Sequence, residues 1–234
     1  MTNEPYIGGS LDMHVLLIGG PRLAGKSQIT EELLRRGGYR IARSAVTRGK
    51  RPNEEGKRES HIYIPRHKHF EQRRQTGEFI FSYCLPETGV HYGLVKSEFE
   101  DALQKGEIPI QCLISPEMME VLIKQNVFPH AFKVLIVTRK DMTWDLKIRA
   151  ANRHYKHRLS PSGSDSGRIR IVPRTIDEAV DLSLSQLKEF NKRADLFHIV
   201  MDNSAPYTSE ARDTTPGDLL RKQRDQYVAW NASR

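Results

Sequence analysis

The stretch LLIGGPRLAGKSQIT, from Leu16 to Thr30, passes from an apolar run through glycines into helical spacing. Its first residues have the length and apolar character of a buried strand, and apolar residues recur on one helical face from about Ser27 until a pair of glycines at 37 and 38. Between the strand and the helix, residues 20–27 follow the spacing G-x-x-x-x-G-K-[ST]. The stretch therefore predicts a phosphate-binding loop that joins a strand to a helix.

Each residue type in this loop has a function in holding a nucleoside triphosphate. Glycines let backbone amides turn inward around an anion, and the helix N-terminus adds partial positive charge. Lys26 is expected to reach the β- and γ-phosphates as a catalytic residue, and the Ser27 hydroxyl is expected to bind Mg²⁺. The predicted ATP-binding residues are Gly20, Pro21, Arg22, Leu23, Ala24, Gly25, Lys26, Ser27 and Gln28.

Composition sets the broad class of the protein. A chain of 234 residues is long enough for one sizeable α/β domain. The net charge of +8 indicates an anionic partner, and nucleotides, nucleic acid and acidic surfaces all fit. The two cysteines, Cys84 and Cys112, are too few for a disulfide framework, which favours a reducing, cytoplasmic location. No segment has the roughly 18 consecutive apolar residues of a membrane span.

Strand-like and helix-like patterns alternate along the rest of the chain. This alternation predicts a parallel sheet flanked by helices, joined by right-handed crossovers. The pattern predicts strands at 39–42, 62–64, 108–114, 133–137 and 196–201, a hairpin before residue 96, and helices at about 68–76, 96–104, 142–157 and 175–192. Residues 1–13 are expected to form an N-terminal arm, and residues 213–234 a C-terminal tail with helical capacity.

Several short motifs recur in a familiar order. They are SAVTR at 44–48 with a further Arg-Pro, HIYIP at 61–65, GEF at 77–79, HYG at 91–93 and RADLFHIVMDN at 193–203. Together with the phosphate loop, this order resembles the guanylate kinase family over residues 14–203. The resemblance implies a P-loop kinase fold that uses ATP and Mg²⁺. It places the kinase domain at 14–212, with a small acceptor-binding subdomain at about 43–94 and an arginine-rich lid at about 149–174.

The resemblance also implies a site for a phosphorylated acceptor. The serine, arginines and tyrosine that hold the acceptor phosphate in that family correspond to Ser44, Arg48, Arg51 and Tyr92, and Tyr63 is a weaker match. Planar guanidinium groups bind phosphate in bidentate fashion, and phenol hydroxyls add donors. The alternative is that the arginines form a solvated basic loop and that Tyr92 is a core aromatic residue.

The chain departs from guanylate kinases where they read guanine. The position of their guanine-binding glutamate falls near Cys84 in FIFSYC, and the strand IPIQCLIS lacks their aspartates. In these departures, in RESHIYIP and in the longer turn CLPETGVHYG, the chain also resembles the ribose 1,5-bisphosphate kinases. The acceptor is therefore expected to be a nucleoside monophosphate or a sugar phosphate, with guanine recognition lost; Glu78, Glu87 or Ser82 is the alternative reader of a base.

The predicted lid is rich in arginine. Arg149 and Arg153 stand one helical turn apart and are candidate catalytic residues that stabilise the transferred phosphoryl group. Residues 159–173 have the Ser, Gly and Pro content of a mobile loop. The alternative for the two arginines is a solvated basic helix.

Two other functional classes compete with an enzyme. Guanylate kinase-like domains also serve as non-catalytic interaction modules, but those typically lack an intact phosphate loop, whereas Lys26 and Ser27 are present here. A nucleic-acid-binding NTPase is favoured only by the positive charge, since the chain lacks an aromatic-rich platform on which bases could stack. The partners are thus expected to be ATP and a small phosphorylated acceptor, with no membrane; Trp230 in the tail is a candidate contact with the domain or with a second subunit of a homodimer.

Overall fold

A computed structural model describes residues 6–9, 11, 13–50, 60–85, 88–113, 115–137 and 175–202, with the backbone alone at 6, 7, 176 and 202. The described elements are, in chain order, β1 (Tyr6–Ile7), β2 (Val15–Gly19), α1 (Lys26–Arg36), β3 (Tyr39–Ile41), β4 (Ser44–Val46), β5 (His61–Tyr63), α2 (His67–Gln75), β6 (Phe79–Leu85), β7 (Val90–Val95), α3 (Lys96–Gln104), β8 (Ile108–Cys112), α4 (Pro116–Lys124), β9 (Ala131–Val137), α5 (Ile176–Asn191) and β10 (Ile199–Asp202). The predicted helix at 142–157, the loop at 159–173 and the tail lie outside the described residues.

The first sheet has five strands in the order β10-β9-β2-β8-β3. All of its strand pairs are parallel, as the alternation of strands and helices predicts. All five residues of β2 are buried, because this strand lies between β8 and β9 and is covered on both faces. This strand leads directly into the predicted phosphate loop.

The second sheet, which we call the acceptor sheet, has five strands in the order β1-β6-β7-β4-β5. Only β4 and β5 are parallel in it, and its remaining pairs are antiparallel. Four of its strands lie within the predicted subdomain at 43–94, whereas β1 comes from the N-terminal arm. The strands β1 and β4 are absent from the sequence prediction, because two or three residues carry too little periodicity to reveal a strand. The nine-residue helix α4 is absent from it as well.

The parallel sheet buries a different core on each face. One face packs against α1 through Leu16, Ile18, Ile29 and Leu33. The other face shares a core with the acceptor sheet and the C-terminal elements; this core includes Leu17, Leu135, Phe81, Leu94, Phe190 and Phe197. The second core holds the acceptor sheet against the parallel sheet, since residues from both sheets exclude water together.

Two crossings of the chain between the sheets lie next to the predicted site. The first crossing is the two-residue step from β3 to β4, and the second runs from β7 through α3 to β8. Helix α3 follows β7 without an intervening loop residue, so its first turn lies beside the junction. The short first crossing places Ser44 close to the parallel sheet.

Gly20 lies at the closest approach of two backbone segments in the parallel sheet. A Cβ at this position would lie 2.3 Å from the carbonyl oxygen of Ile136, and the φ angle of Gly20 is +146°. Gly106 also has a positive φ angle, +67°, but a Cβ there would meet no atom within 4 Å. Any side chain at Gly20 therefore meets both strain and a backbone clash, whereas one at Gly106 meets strain alone.

We expect Gly20→Ala to lower the free energy of unfolding by about 3 kcal/mol or more, because β9 must move to admit the methyl group. The matched control Gly106→Ala should cost about 1 kcal/mol, the usual penalty for a left-handed residue other than glycine. Chemical denaturation of both variants measures the difference. Equal losses in the two variants would show that the approach of Gly20 to Ile136 does not constrain the fold.

Candidate active site

The predicted phosphate loop lies at the carboxyl end of β2 and turns directly into α1. Leu23 and Gly25 have positive φ angles, 65° and 90°, which reverse the chain just before the helix. The carbonyl of Gly25 accepts hydrogen bonds from the amides of Gln28 and Ile29, so the helix begins regularly. The N-terminus of α1, with its partial positive charge, therefore faces the loop, the arrangement that attracts an anion.

Lys26 spans this loop. Its ammonium group donates hydrogen bonds of 2.7 Å to the carbonyl oxygens of Gly20 and Pro21. These contacts hold the positive charge over the backbone that the glycines shape. Ser27 follows as an exposed residue of the first helical turn, where its hydroxyl is accessible to a ligand.

Helix α5 holds the loop from the opposite side. The amide of Arg22 donates to Oε1 of Gln186 at 2.9 Å, and the hydroxyl of Ser183 donates to the carbonyl oxygen of Arg22 at 2.5 Å. Ser183 is only 1% exposed, so its hydroxyl cannot hydrogen-bond to bulk water instead. These contacts leave no local pattern in the sequence, because Ser183 and Arg22 are 161 residues apart.

The register of the acceptor sheet brings predicted acceptor residues onto one face. Ser44 lies opposite His61 and Val46 opposite Tyr63 in the pairing of β4 with β5. Val46 also lies opposite Tyr92 in the pairing of β4 with β7. Because directly opposed residues point to the same side of a sheet, Ser44, Tyr63 and Tyr92 share a face. We call this the acceptor face.

Aromatic rings cover much of the acceptor face. Tyr92 stacks on Tyr83, with ring centroids 5.4 Å apart, and His61 contacts both Tyr92 and Tyr63 edge-on. Burial raises the pKa of Tyr83, and the neighbouring Tyr92 raises it further. The Tyr83 phenol therefore stays neutral. The guanidinium carbon of Arg48 lies 5.6 Å from the centre of the Tyr63 ring. The structure thus adds His61 and Tyr83 to the residues that the sequence indicated.

A hydrogen bond connects the acceptor face to the parallel sheet. Nε2 of Gln111, on β8, donates to the Ser44 hydroxyl at 3.1 Å, and both side chains are buried. The next residue, Cys112, lies 3.4 Å from the Thr30 hydroxyl of α1 through its sulfur. Adjacent residues of β8 therefore contact Ser44 on one side and the helix of the phosphate loop on the other. The two predicted half-sites flank the carboxyl end of β8, where parallel sheets bind ligands.

The thiol of Cys112 is held in its neutral form. Although part of the residue is exposed, burial of the sulfur raises its pKa, and this outweighs the opposing effects of the Thr30 hydrogen bond and the Lys26 charge. A neutral thiol is a poor nucleophile. Cys112 therefore contributes a small polar surface beside the phosphate loop.

An ion pair fixes the residue before Ser44. The guanidinium of Arg43 donates to both carboxylate oxygens of Glu98, at 2.9 Å from Nε and 2.5 Å from Nη2. The amide of Arg43 also donates to Glu98, at 3.3 Å. Since Glu98 lies in the first turn of α3, this pair connects the step from β3 to β4 with the crossing through α3. The main chain that enters Ser44 is consequently anchored.

The remaining predicted site residues have different outcomes. Arg51, Arg149, Arg153 and Glu87 lie outside the described residues.

Two histidines contact each other in the second sheet and the adjoining helix. The Nε2 atoms of His67 and His91 are 2.9 Å apart. Among the residues that the structure describes, no group of three or more His, Cys, Asp or Glu side chains is placed to hold a metal ion. None of the helices in the described part of the chain has the length and hydropathy of a membrane span.

Comparisons with known proteins point to one family. The chain is 28% identical to a guanylate kinase of Rhodopirellula baltica over 141 residues, which are 59% of this chain and 65% of that relative. Its structure superimposes on the crystal structure of guanylate kinase from Anaplasma phagocytophilum with a TM-score of 0.55 and 14% identity, over 94% of this chain and 87% of the other. No protein-family model matches the chain. The findings support the resemblance to the guanylate kinase family and show that the chain has the α/β fold of a guanylate kinase.

The anchoring of the phosphate loop by α5 can be tested at Ser183. We expect Ser183→Ala to lower the free energy of unfolding by about 1–3 kcal/mol, because the Arg22 carbonyl loses its donor inside the protein. Ser185→Ala, an exposed change on the same helix, is the control and should have little effect. Chemical denaturation and amide exchange of residues 20–25 measure the two effects. If both variants behave alike, Ser183 does not anchor the loop.

Proposed function

We propose that this protein is an ATP-dependent phosphotransferase that moves the γ-phosphoryl group of ATP to a phosphorylated small molecule. The proposal depends above all on one observation. Residues of the acceptor face are joined to the phosphate-loop sheet by the contact of Ser44 with Gln111, and the neighbouring Cys112 contacts α1. The donor site and the acceptor site would then lie on either side of the same strand end. Such proximity favours direct transfer of a phosphoryl group from one bound phosphate to the other.

The donor half is built for a triphosphate. Backbone amides at the start of α1 attract the phosphates, and Lys26 has its ammonium group beside the loop carbonyls, from where it can exchange those bonds for phosphate oxygens. The exposed Ser27 hydroxyl would hold Mg²⁺, and Mg²⁺ neutralises charge on the bridging oxygens when bound. Arg149 and Arg153 are proposed to stabilise the equatorial oxygens of the transferred group.

The acceptor half offers hydroxyl, cationic and aromatic groups. Ser44, Arg48, Tyr63 and Tyr92 are proposed to hold the acceptor phosphate, with Arg51 beside them. The contact of Arg48 with the Tyr63 ring directs a guanidinium toward the acceptor face. An acceptor phosphate that is already a dianion needs no general base, since it attacks without losing a proton.

The acceptor face carries no carboxylate among its described residues. Glu78, one candidate for reading a base, is paired with Arg73 instead, and Ser82 is buried within β6. Guanine presents two adjacent donor groups that a selective site must pair. A buried polar group without a partner lowers affinity, whether it belongs to the base or to the protein. We therefore propose that GMP is at best one acceptor among several, and that another nucleotide or a sugar phosphate can exceed it.

Turnover should depend on Lys26. We expect Lys26→Ala to lower ATP-dependent phosphoryl transfer by about 10²-fold to 10³-fold, as loss of one preorganised charge-stabilising group does. Radiolabelled ATP and thin-layer separation of products measure this, with Lys68→Ala, an exposed change on α2, as the control. Wild-type turnover in folded Lys26→Ala would contradict the catalytic role of this loop, whereas absence of transfer by the wild-type protein to every acceptor would leave the non-catalytic interaction module as the explanation.

The acceptor can be identified by a panel measured at one ATP concentration. The panel consists of GMP, dGMP, AMP, pyrimidine monophosphates and ribose 1,5-bisphosphate, compared by kcat/KM. We expect Arg48→Ala to raise the KM of the preferred acceptor by about 10-fold to 100-fold, the value of a charge-assisted contact, and to leave the KM of ATP unchanged. Arg35→Ala, exposed on α1, is the control. If GMP led every competitor by about 10³-fold or more, the argument from the missing acids would be wrong, because only a base-reading site discriminates so strongly.

A further inference from the structure

Leu23 is a bulky residue in a backbone conformation that favours glycine. Its φ angle is +65°, and it lies in the predicted phosphate loop two residues before Gly25, whose φ angle is +90°. Asn126 is the other non-glycine residue with a positive φ angle among the residues that the structure describes, and asparagine tolerates this region. Leucine does not, so the surrounding structure must stabilise Leu23 in this conformation.

The side chain of Leu23 packs against α5. It belongs to a small apolar cluster around Val180, which is 2% exposed. Leu23 comes from the loop, and the other members, Ala179 and Leu184, lie beside Val180 on the helix. Contact between these side chains removes apolar surface from water and offsets the backbone strain. The cluster therefore ties the strained residue of the loop to α5.

The residue before Leu23 has both of its main-chain polar groups bonded to the same helix. The N–H of Arg22 donates to Oε1 of Gln186, and its carbonyl oxygen accepts from the hydroxyl of Ser183. The described residues contain no cis peptide bond, and the C=O and N–H of a trans peptide point in opposite directions. The bond from Ser183 therefore turns the N–H of Leu23 away from α5, while the N–H of Arg22 stays against the helix.

We propose that Leu23, through its contact with Val180, is a positioning residue that holds the phosphate loop in its anion-binding conformation before a nucleotide binds, an inference that rests on the ATP site of the proposed function. Successive N–H groups form an anion-binding nest where left-handed residues reverse the chain, and positive φ angles at residues 23 and 25 produce such a reversal. Gln186 supports the same conformation from the main-chain side. Helix α5 thereby sets the fraction of molecules whose loop is ready to bind, and this fraction scales the apparent affinity.

Two substitutions at Leu23 separate positioning from packing alone. Leu23→Ala removes the contact with Val180 and keeps the strain, whereas Leu23→Gly removes both, because glycine adopts a positive φ angle without strain. We expect Leu23→Ala to raise the Kd of inorganic tripolyphosphate and the KM of ATP by about 5-fold to 10-fold. Leu23→Gly should bind tripolyphosphate more tightly than Leu23→Ala by about 3-fold. Isothermal titration calorimetry measures the Kd without any need for turnover.

Matched variants control these measurements. Leu103→Ala makes the same change at a residue that is 58% exposed on α3, and it should leave the tripolyphosphate Kd within about twofold. Val180→Ala should raise the Kd as Leu23→Ala does. It should add no further rise when residue 23 is already alanine, because the two side chains act through one contact.

Gln186→Met provides a second test if Leu23→Ala does not fold. This variant removes the acceptor of the Arg22 amide and nearly keeps the length of the side chain. We expect it to raise the tripolyphosphate Kd by about 3-fold to 10-fold, the usual value of one hydrogen bond. Ser185→Met, which introduces the same side chain at an exposed position of α5, is the control.

The outcomes separate the inference from the proposed function. Equal affinities of Leu23→Ala and Leu23→Gly, or wild-type affinity in Leu23→Ala and Gln186→Met, would overturn the inference. Wild-type protein that binds tripolyphosphate, with the variants in the expected order, but transfers phosphate to no acceptor would overturn the proposed function and support the inference. Absence of both tripolyphosphate binding and ATP binding in the wild-type protein would overturn both.

Discussion

The burial of β2 on both faces and along both edges is the constraint on which the rest of the structure depends. β8 and β9 occupy its edges, and separate apolar cores cover its faces. A strand enclosed in this way cannot shift its register without exposing apolar side chains or leaving backbone groups unpaired. The point at which the chain leaves the sheet is therefore fixed, and it is there that Gly20 passes against the Ile136 carbonyl.

The junction between the two sheets combines apolar packing with a few polar contacts. The shared core supplies most of the stabilisation, because it removes large side chains such as Phe81 and Phe190 from water. The pair of Arg43 with Glu98 and the bond of Gln111 with Ser44 add little net free energy, since each must offset the loss of hydration. What they add is direction: they specify which way one backbone segment and one hydroxyl face.

The chemistry of the acceptor face follows from its composition. Tyrosine and histidine rings lie beside an arginine, and the described residues of the face include no acid. Such a surface favours an anion through hydroxyl and guanidinium donors and accommodates an apolar ring edge or a sugar by contact. Among these described residues, no carboxylate is present to pair with the donor groups of a purine. The fold is that of a guanylate kinase.

The sequence by itself determined the features that contiguous residues encode. The phosphate loop could be predicted from one run of residues, because glycine, lysine and serine are expected to act there through their own backbone and side-chain chemistry, next to one another. Helix α3 was predicted with its observed bounds, Lys96–Gln104, because an apolar face repeats along it and strands flank it on both sides. The parallel sheet was likewise predictable from alternating periodicity.

The tertiary structure alone decided which distant residues meet. Ser183 reaches Arg22 across 161 residues and Gln111 reaches Ser44 across 67, and neither pair leaves a local pattern. The common face of Ser44, Tyr63 and Tyr92 depends on strand register, and a shift of one residue would have turned side chains to the opposite side. Register and long-range contacts are selected by the packing of whole elements against one another, and a side chain's own neighbours in the chain carry no record of that packing.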